Sequence, residues 1–231
     1  MSFEGFRPET TDFLWGLRLN NNREWYHAHK EECRKYLTSP MNELANAVYE
    51  GFGQARPDIP FTTHVSRIYR DARRLYGKGP FKDHLWFSLF DARYGDWTGR
   101  PTFWFQIGAD GWSYGMGTYD GTGKMMERIR ARIAAAPAEM LELQKRLDGQ
   151  DEFVLEGEEY KKKYRDCPVP ELSGWYARKY IDIIHSEPAG PSMTGPELAD
   201  RVLEGMLWLM PFYDYFFPLM TADEQEDAGN V

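Results

Sequence analysis

Phe103-Trp-Phe-Gln-Ile-Gly-Ala-Asp-Gly-Trp-Ser-Tyr-Gly-Met116 is the stretch that decides the fold. Phe103, Phe105 and Ile107 alternate with Trp104 and Gln106, and Trp112, Tyr114 and Met116 alternate with Ser113 and Gly115. A period of two sends successive side chains to opposite faces of a strand. Ala109-Asp110-Gly111 between the runs carries turn chemistry, so the stretch predicts an antiparallel hairpin. Upstream, Leu85, Phe87 and Leu89 alternate with Trp86 and Ser88, and residues 65–71 alternate as well. Shorter strands are predicted at 153–155 and at 179–185, where Ile181, Ile183 and Ile184 are β-branched.

Helical spacing flanks this block. Residues 9–19 put Phe13, Leu14 and Leu17 on one side, and a second helix is predicted from Asn22 to Leu37. Ser39-Pro40 then reads as a restart, with Ser39 as N-cap and Pro40 at the first helical position. Helices are predicted again at 123–135 and 137–147, and one long helix from Pro196, apolar nearly all round between 206 and 217. Helices, then strands, then helices predict an α+β fold. The expected architecture is a mainly antiparallel sheet of about five strands with N-terminal and C-terminal helices packed on it. A single domain over 1–221 and an acidic, disordered tail over 222–231 are expected.

The bulk composition narrows the function classes. The 231 residues carry a formal net charge of -8, which argues against broad nucleic-acid binding. Cys33 and Cys167 form no metal-ligand spacing, and the five histidines lack the i, i+4 pairing of a helical zinc site, so no metal is expected. No apolar run approaches the roughly 20 residues that cross a bilayer, and the first ten residues hold no apolar signal core. A cytoplasmic location without membrane contact is expected. Residues 115–123 are glycine-rich but lack the Gly-Lys-Ser/Thr ending of a phosphate loop, and read as a strand-to-helix turn.

Against that acidic background, residues 67–82 hold six cations, Arg67, Arg70, Arg73, Arg74, Lys78 and Lys82, and one acid, Asp71. Two readings follow. Guanidinium and ammonium groups aimed at one hollow repel each other unless an anion sits among them, which points to an anionic small molecule such as a phosphate or carboxylate. Alternatively, Asp71, Glu24 and other acids neutralise them inside the fold. Alternation of a strand at 65–71 against one at 84–89 would bring Arg67, Tyr69, Lys82, His84 and Trp86 to one side of the sheet. Should the site be catalytic, His84 and Tyr69 are the acid–base candidates. Asn21 and Glu24 stand at capping-box spacing, and the same helix start, with Arg23 and Lys30 beside it, is an alternative place for an anion.

The motifs Phe13-Leu14-x-x-Leu17 with Asn20-Asn-Asn-Arg-Glu-Trp25-Tyr-x-x-x-Lys30, and Arg67-Ile-Tyr-Arg-Asp71-x-Arg73 with Lys78-x-Pro80-Phe-Lys82, resemble those of the domain of unknown function 2461 family. The resemblance runs over roughly residues 8–215. It implies a largely bacterial family without an established activity, an α+β fold and no cofactor. The motif positions it carries over are Asn21, Arg23, Glu24, Trp25, Lys30, Arg67, Tyr69, Arg70, Asp71, Arg73, Lys78 and Lys82. Arg74-Leu75-Tyr76-Gly77 departs from the family's Phe-Ser-Lys-Asp, and residues 167–175 lack its Pro-Arg-Gly and His-Pro elements.

The functional expectation is therefore a cationic pocket for an anionic small molecule, binding or catalytic, built from Arg23, Lys30, Arg67, Tyr69, Arg70, Asp71, Arg73, Lys78 and Lys82. The alternative is a protein–protein module that uses exposed Trp97, Trp104 and Trp112 while the Arg/Asp network is purely structural. A third reading, single-stranded nucleic acid stacked between Arg and Trp, is opposed by the net charge. Neither a reaction nor an oligomeric state is legible.

Overall fold

Helices Pro8–Leu19 (α1), Arg23–Ala28 (α2) and Lys30–Glu32 (α3) lead through a π-helical turn at Cys33–Thr38 into Ser39–Ala55 (α4). Strands Phe61–Val65 (β1), His84–Asp91 (β2), Pro101–Gly108 (β3) and Gly111–Thr118 (β4) follow. Helices Gly123–Ala135 (α5) and Ala138–Asp148 (α6) precede strand Val154–Glu156 (β5), helix Ser173–Tyr176 (α7) and strand Asp182–Pro188 (β6). Helices Glu197–Trp208 (α8) and Met210–Ala228 (α9) come last. This computed structural model describes residues 2–75, 77–95, 99–118, 123–161 and 166–228, with the backbone alone at 74 and 220–228. Tail residues 229–231, the glycine-rich positions 119–122 and Trp97 lie outside the described residues.

The fold is α+β, with one antiparallel sheet of six strands in the order β1-β2-β3-β4-β6-β5. The predicted hairpin is β3–β4, and its alternation decides the core. Phe103, Phe105 and Ile107 are fully buried, as are Phe87 and Leu89 of β2, while His84, Trp86, Trp104 and Gln106 alternate with them on a half-exposed face.

The chain gathers into two compact units, one of residues 1–93, 104–114 and 186–205, the other of 94–103, 115–185 and 206–231. In the first, Phe105 stacks on Phe6, Phe87 and Trp112 at 5.7–5.9 Å between ring centroids. Helix α8 reaches β4 because Gly205 has no side chain: a Cβ there would lie 2.3 Å from the Tyr114 hydroxyl. In the second unit, Trp175 is fully buried against Phe212 and Phe216. Arg130, only 4% exposed, donates to the carbonyls of Tyr176 and Arg178 at 2.8 and 2.6 Å. Those bonds satisfy a guanidinium that burial would otherwise penalise.

Several elements depart from the sequence reading, each for a local reason. Ser39 is not an N-cap, because Thr38 and Ser39 already have helical dihedrals. Pro40 has no N–H to donate, and the missing bond falls at the widened π-helical turn just before it. The long C-terminal helix is two helices. Pro211 lacks an N–H and its ring excludes the carbonyl four residues back, which breaks the helix at Leu209.

The predicted strand at 65–71 instead starts at Phe61 and ends at Val65. An unbroken β1–β2 ladder, which pairs Val65 with Phe87, would bring Tyr69 opposite Asp83. Tyr69 faces Phe81 instead, through an isolated bridge. The proposed common side for Arg67, Tyr69, Lys82, His84 and Trp86 is corrected accordingly: Tyr69 goes with Phe81, whose neighbour Lys82 points the other way.

The cause of this offset lies in Asn21. Its side-chain oxygen accepts from the Phe81 N–H at 3.0 Å, and its amide donates to the Phe81 carbonyl at 3.0 Å. One side chain thus mimics a strand partner for a peptide unit that has left the ladder. Asn21 is not the cap of α2; Asn22 is, with its oxygen accepting from the Trp25 N–H at 2.9 Å. The fully buried Phe81 ring stacks on Tyr26 at 4.3 Å and meets Tyr69 at 5.0 Å. Gly79 permits this approach, since a Cβ there would lie 2.3 Å from Asn21 Oδ1 and 2.6 Å from its backbone oxygen.

Removing the Asn21 amide leaves the N–H of buried Phe81 without a partner and its carbonyl with the Arg70 guanidinium alone, the orphaned N–H being a loss of order 1–3 kcal/mol. Asn21→Ala is expected to lower unfolding stability by about 1–3 kcal/mol in urea titration. Gly79→Ala is expected to do comparable damage, because the added methyl meets both the Asn21 side chain, pinned by its bonds to Phe81, and the Asn21 backbone oxygen.

Candidate functional site

With Phe81 pinned, the next residue, Lys82, is fixed too: its N–H donates to the Ile68 carbonyl at 2.8 Å. The ammonium is half-buried, 5.6 Å from the centroid of the Trp86 ring. It makes no hydrogen bond or ion pair among the described residues. Burial, and then the nearby Arg70 guanidinium, lower its pKa to about 8. Arg70 itself donates from Nε to the Phe81 carbonyl at 2.8 Å and comes only within 3.8 Å of Asp83.

The same positive field reaches two histidines. His64, in β1, lies 5.6 Å from Trp86 ring to ring. Burial lowers its pKa, and Lys82 and Arg67 lower it further. His84 is shifted down by burial first. Its hydrogen bond with Asp83 opposes this, and the charges of Lys82 and Arg70 add to it. Both imidazoles are therefore neutral at pH 7. Facing His64 across the β1–β2 ladder is Ser88, buried at 2% exposure with no hydrogen-bond partner for its hydroxyl among the described residues.

The structure thus brings Arg67, Arg70, Lys82 and His84 into one electrostatic neighbourhood with His64. Other predicted residues lie elsewhere. Arg73 chelates Asp71 at 2.7 to 3.2 Å with its own side chain 87% exposed, a surface pair of little energetic weight. Arg23 and Lys30 are exposed on α2 and α3, and Lys78 is exposed in the loop before Phe81. None of these three side chains makes an ion pair or hydrogen bond among the described residues. Tyr69, about half exposed, belongs to the aromatic contact with Tyr26 and Phe81 rather than to the cations.

Sequence reasoning missed Arg18, Asp83, Asp110 and His64. Arg18 joins elements distant in the chain, donating to Asp83 at 2.7 Å and to Asp110 at 2.8 and 3.1 Å. These groups, with His84, Ser113 and Glu187, line an open hollow of about 380 Å³. Arg67, Arg70 and Lys82 do not line it. Hydrogen bonds from Arg18 and His84 outweigh burial and hold Asp83 below the usual carboxylate range, and with Asp110 and Glu187 beside it the hollow carries more acids than cations. Asp83 and His64 each stood within three residues of the cationic segment, and that proximity was the available signal. Trp112, read as an exposed aromatic, is buried at 2% exposure between Phe105 and Tyr114.

The two long motifs therefore meet in space: the first supplies Asn21 and Tyr26, the second Tyr69, Phe81 and Lys82. This chain belongs to the conserved hypothetical protein family DUF2461. The family model matches residues 9–215, most of the 231. Comparison with curated proteins returns no match. Of the DUF2461 motif positions, Asn21 builds the scaffold, Asp71 and Arg73 pair on the surface, and Lys82 and Arg70 stand as adjacent cations. No described helix is long and apolar enough to cross a membrane, and no three described His, Cys, Asp or Glu side chains are placed to share a metal ion.

Lys82 carries a sign-definite prediction. Its pKa of about 8 in the folded protein lies below the roughly 10.4 of an unfolded lysine, so its protonated form opposes folding below pH 8. That opposition fades as pH rises from 8 to 10.4, where the unfolded chain holds the extra proton. After discounting for solvent screening at a half-exposed group, Lys82→Met is expected to stabilise the protein by roughly 1 kcal/mol at pH 7. The gain should vanish above about pH 10.5 in denaturant titrations.

Proposed function

We propose that this protein binds an anionic small molecule on the half-exposed face of its sheet, held by Lys82, Arg70 and Arg67. One observation carries the reading: burial and the nearby Arg70 guanidinium lower the proton affinity of Lys82, which has no carboxylate partner among the described residues. An ammonium kept partly from water beside a guanidinium is unfavourable without a counter-ion. A phosphate or carboxylate reverses that balance through charge-assisted hydrogen bonds. Arg70 presents a guanidinium already oriented by its bond to the Phe81 carbonyl, and Arg67 is exposed and free to close over the ligand. Trp86 supplies an apolar floor beside the ammonium, and neutral His64 a hydrogen-bonding group.

Inorganic phosphate at pH 7 is expected to raise the melting temperature saturably, by an amount equivalent to about 2.7 kcal/mol at a hundred times its dissociation constant. Arg70→Met and Lys82→Met should each abolish the shift, while Arg73→Met should leave it intact. Equal stabilisation by matched sodium chloride, or retention of the shift in both site variants, contradicts the reading.

A further inference from the structure

We propose that Lys82 is a covalent docking point, whose ε-amine condenses with the carbonyl of a small oxo acid while Arg67 and Arg70 hold the acid's anionic end. This deepens the anion-site reading and rests on it: the anion it names carries an aldehyde or ketone next to its carboxylate.

Three features of the geometry favour an amine nucleophile over a simple ion-pairing lysine. First, no acid holds Lys82 in its protonated form, since Asp83, the nearest carboxylate in sequence, is engaged by Arg18 and His84 and lies 3.8 Å from Arg70. Second, the half-buried ammonium lies over the Trp86 ring, 5.6 Å from its centroid, where partial exclusion of water favours the dehydrated imine. Third, the backbone of residues 80–82 is fixed by the Asn21 clamp and by bonds to Ile68 and Arg70, so the amine is presented from a rigid support. The charged and titratable groups around it are Arg70, His64, His84 and Asp83, with Arg67 beside His64. Burial first, and then Arg70, keep a fraction of the amine neutral near physiological pH, as nucleophilic lysines require.

The step balances without any redox partner. The neutral amine's lone pair attacks the carbonyl carbon, and one of its two N–H protons passes to the oxygen to give a carbinolamine. Neutral His64 relays the second nitrogen proton to the departing hydroxyl, which leaves as water. The products are one imine and one water. Of the other two lysines named in the motifs, Lys30 and Lys78, both exposed, neither lies over an aromatic ring among the described residues.

The test is borohydride trapping on the intact chain at pH 7.5, with glyoxylate as the oxo acid and uncharged glycolaldehyde as control. Peptide mapping is expected to find a single reduced adduct on Lys82. Labelling by glyoxylate should exceed that by glycolaldehyde about tenfold or more, the worth of one charge-assisted contact. Inorganic phosphate should suppress it. Lys82→Arg should keep phosphate stabilisation and lose the adduct, which separates binding from condensation. Phosphate stabilisation without selective labelling of Lys82 overturns the covalent step and leaves the anion site standing. Loss of both phosphate stabilisation and labelling overturns the two together.

Discussion

The two hydrogen bonds between the Asn21 side chain and the Phe81 peptide unit hold this architecture in place. They take a backbone segment that has slipped out of the β1–β2 ladder and give it the donor and acceptor a strand would have supplied. Once Phe81 is seated under Tyr26, residue alternation leaves Lys82 on the opposite, half-exposed side. The charge arrangement of the site thus follows from a packing constraint. The residues that share a motif divide the labour: Asn21, Gly79 and Phe81 set the geometry, and Arg70 and Lys82 carry the charge.

That division explains how unevenly the molecule can be read from its sequence. The period of two in Phe103, Phe105 and Ile107 was decisive because burial of one face is a local consequence of alternation. The offset that pairs Tyr69 with Phe81 was not legible, because an amide from a helix start sixty residues away produces it. Charge partners followed the same rule. Arg73 with Asp71 is two residues apart and was foreseeable as a pair, whereas Arg18 reaches Asp110 across 92 residues. Helix continuity at Ser39 failed for a related reason, since the π-helical turn lets the chain pass a proline that would ordinarily mark a beginning.

The cations of residues 67–82 do not act as one group. Arg73 is satisfied on the surface, Arg70 is partly satisfied by a carbonyl and distantly by Asp83, and Lys82 is not satisfied at all among the described residues. The neighbouring hollow, in contrast, sets the single guanidinium of Arg18 against Asp83, Asp110 and Glu187 and has no positive charge to spare for an anion. The proposed anion site is therefore at Lys82 and Arg70 rather than in that hollow. His64 and His84 register the same field in their lowered proton affinity, from two different strands.

The direct measurement is the titration of the Lys82 side chain by NMR, using carbon-13-labelled lysine with the Lys82→Arg protein for assignment. The account predicts a midpoint near pH 8 without phosphate, moving upward when phosphate is added. A midpoint at the unperturbed value of about 10.4, unmoved by phosphate, would contradict it.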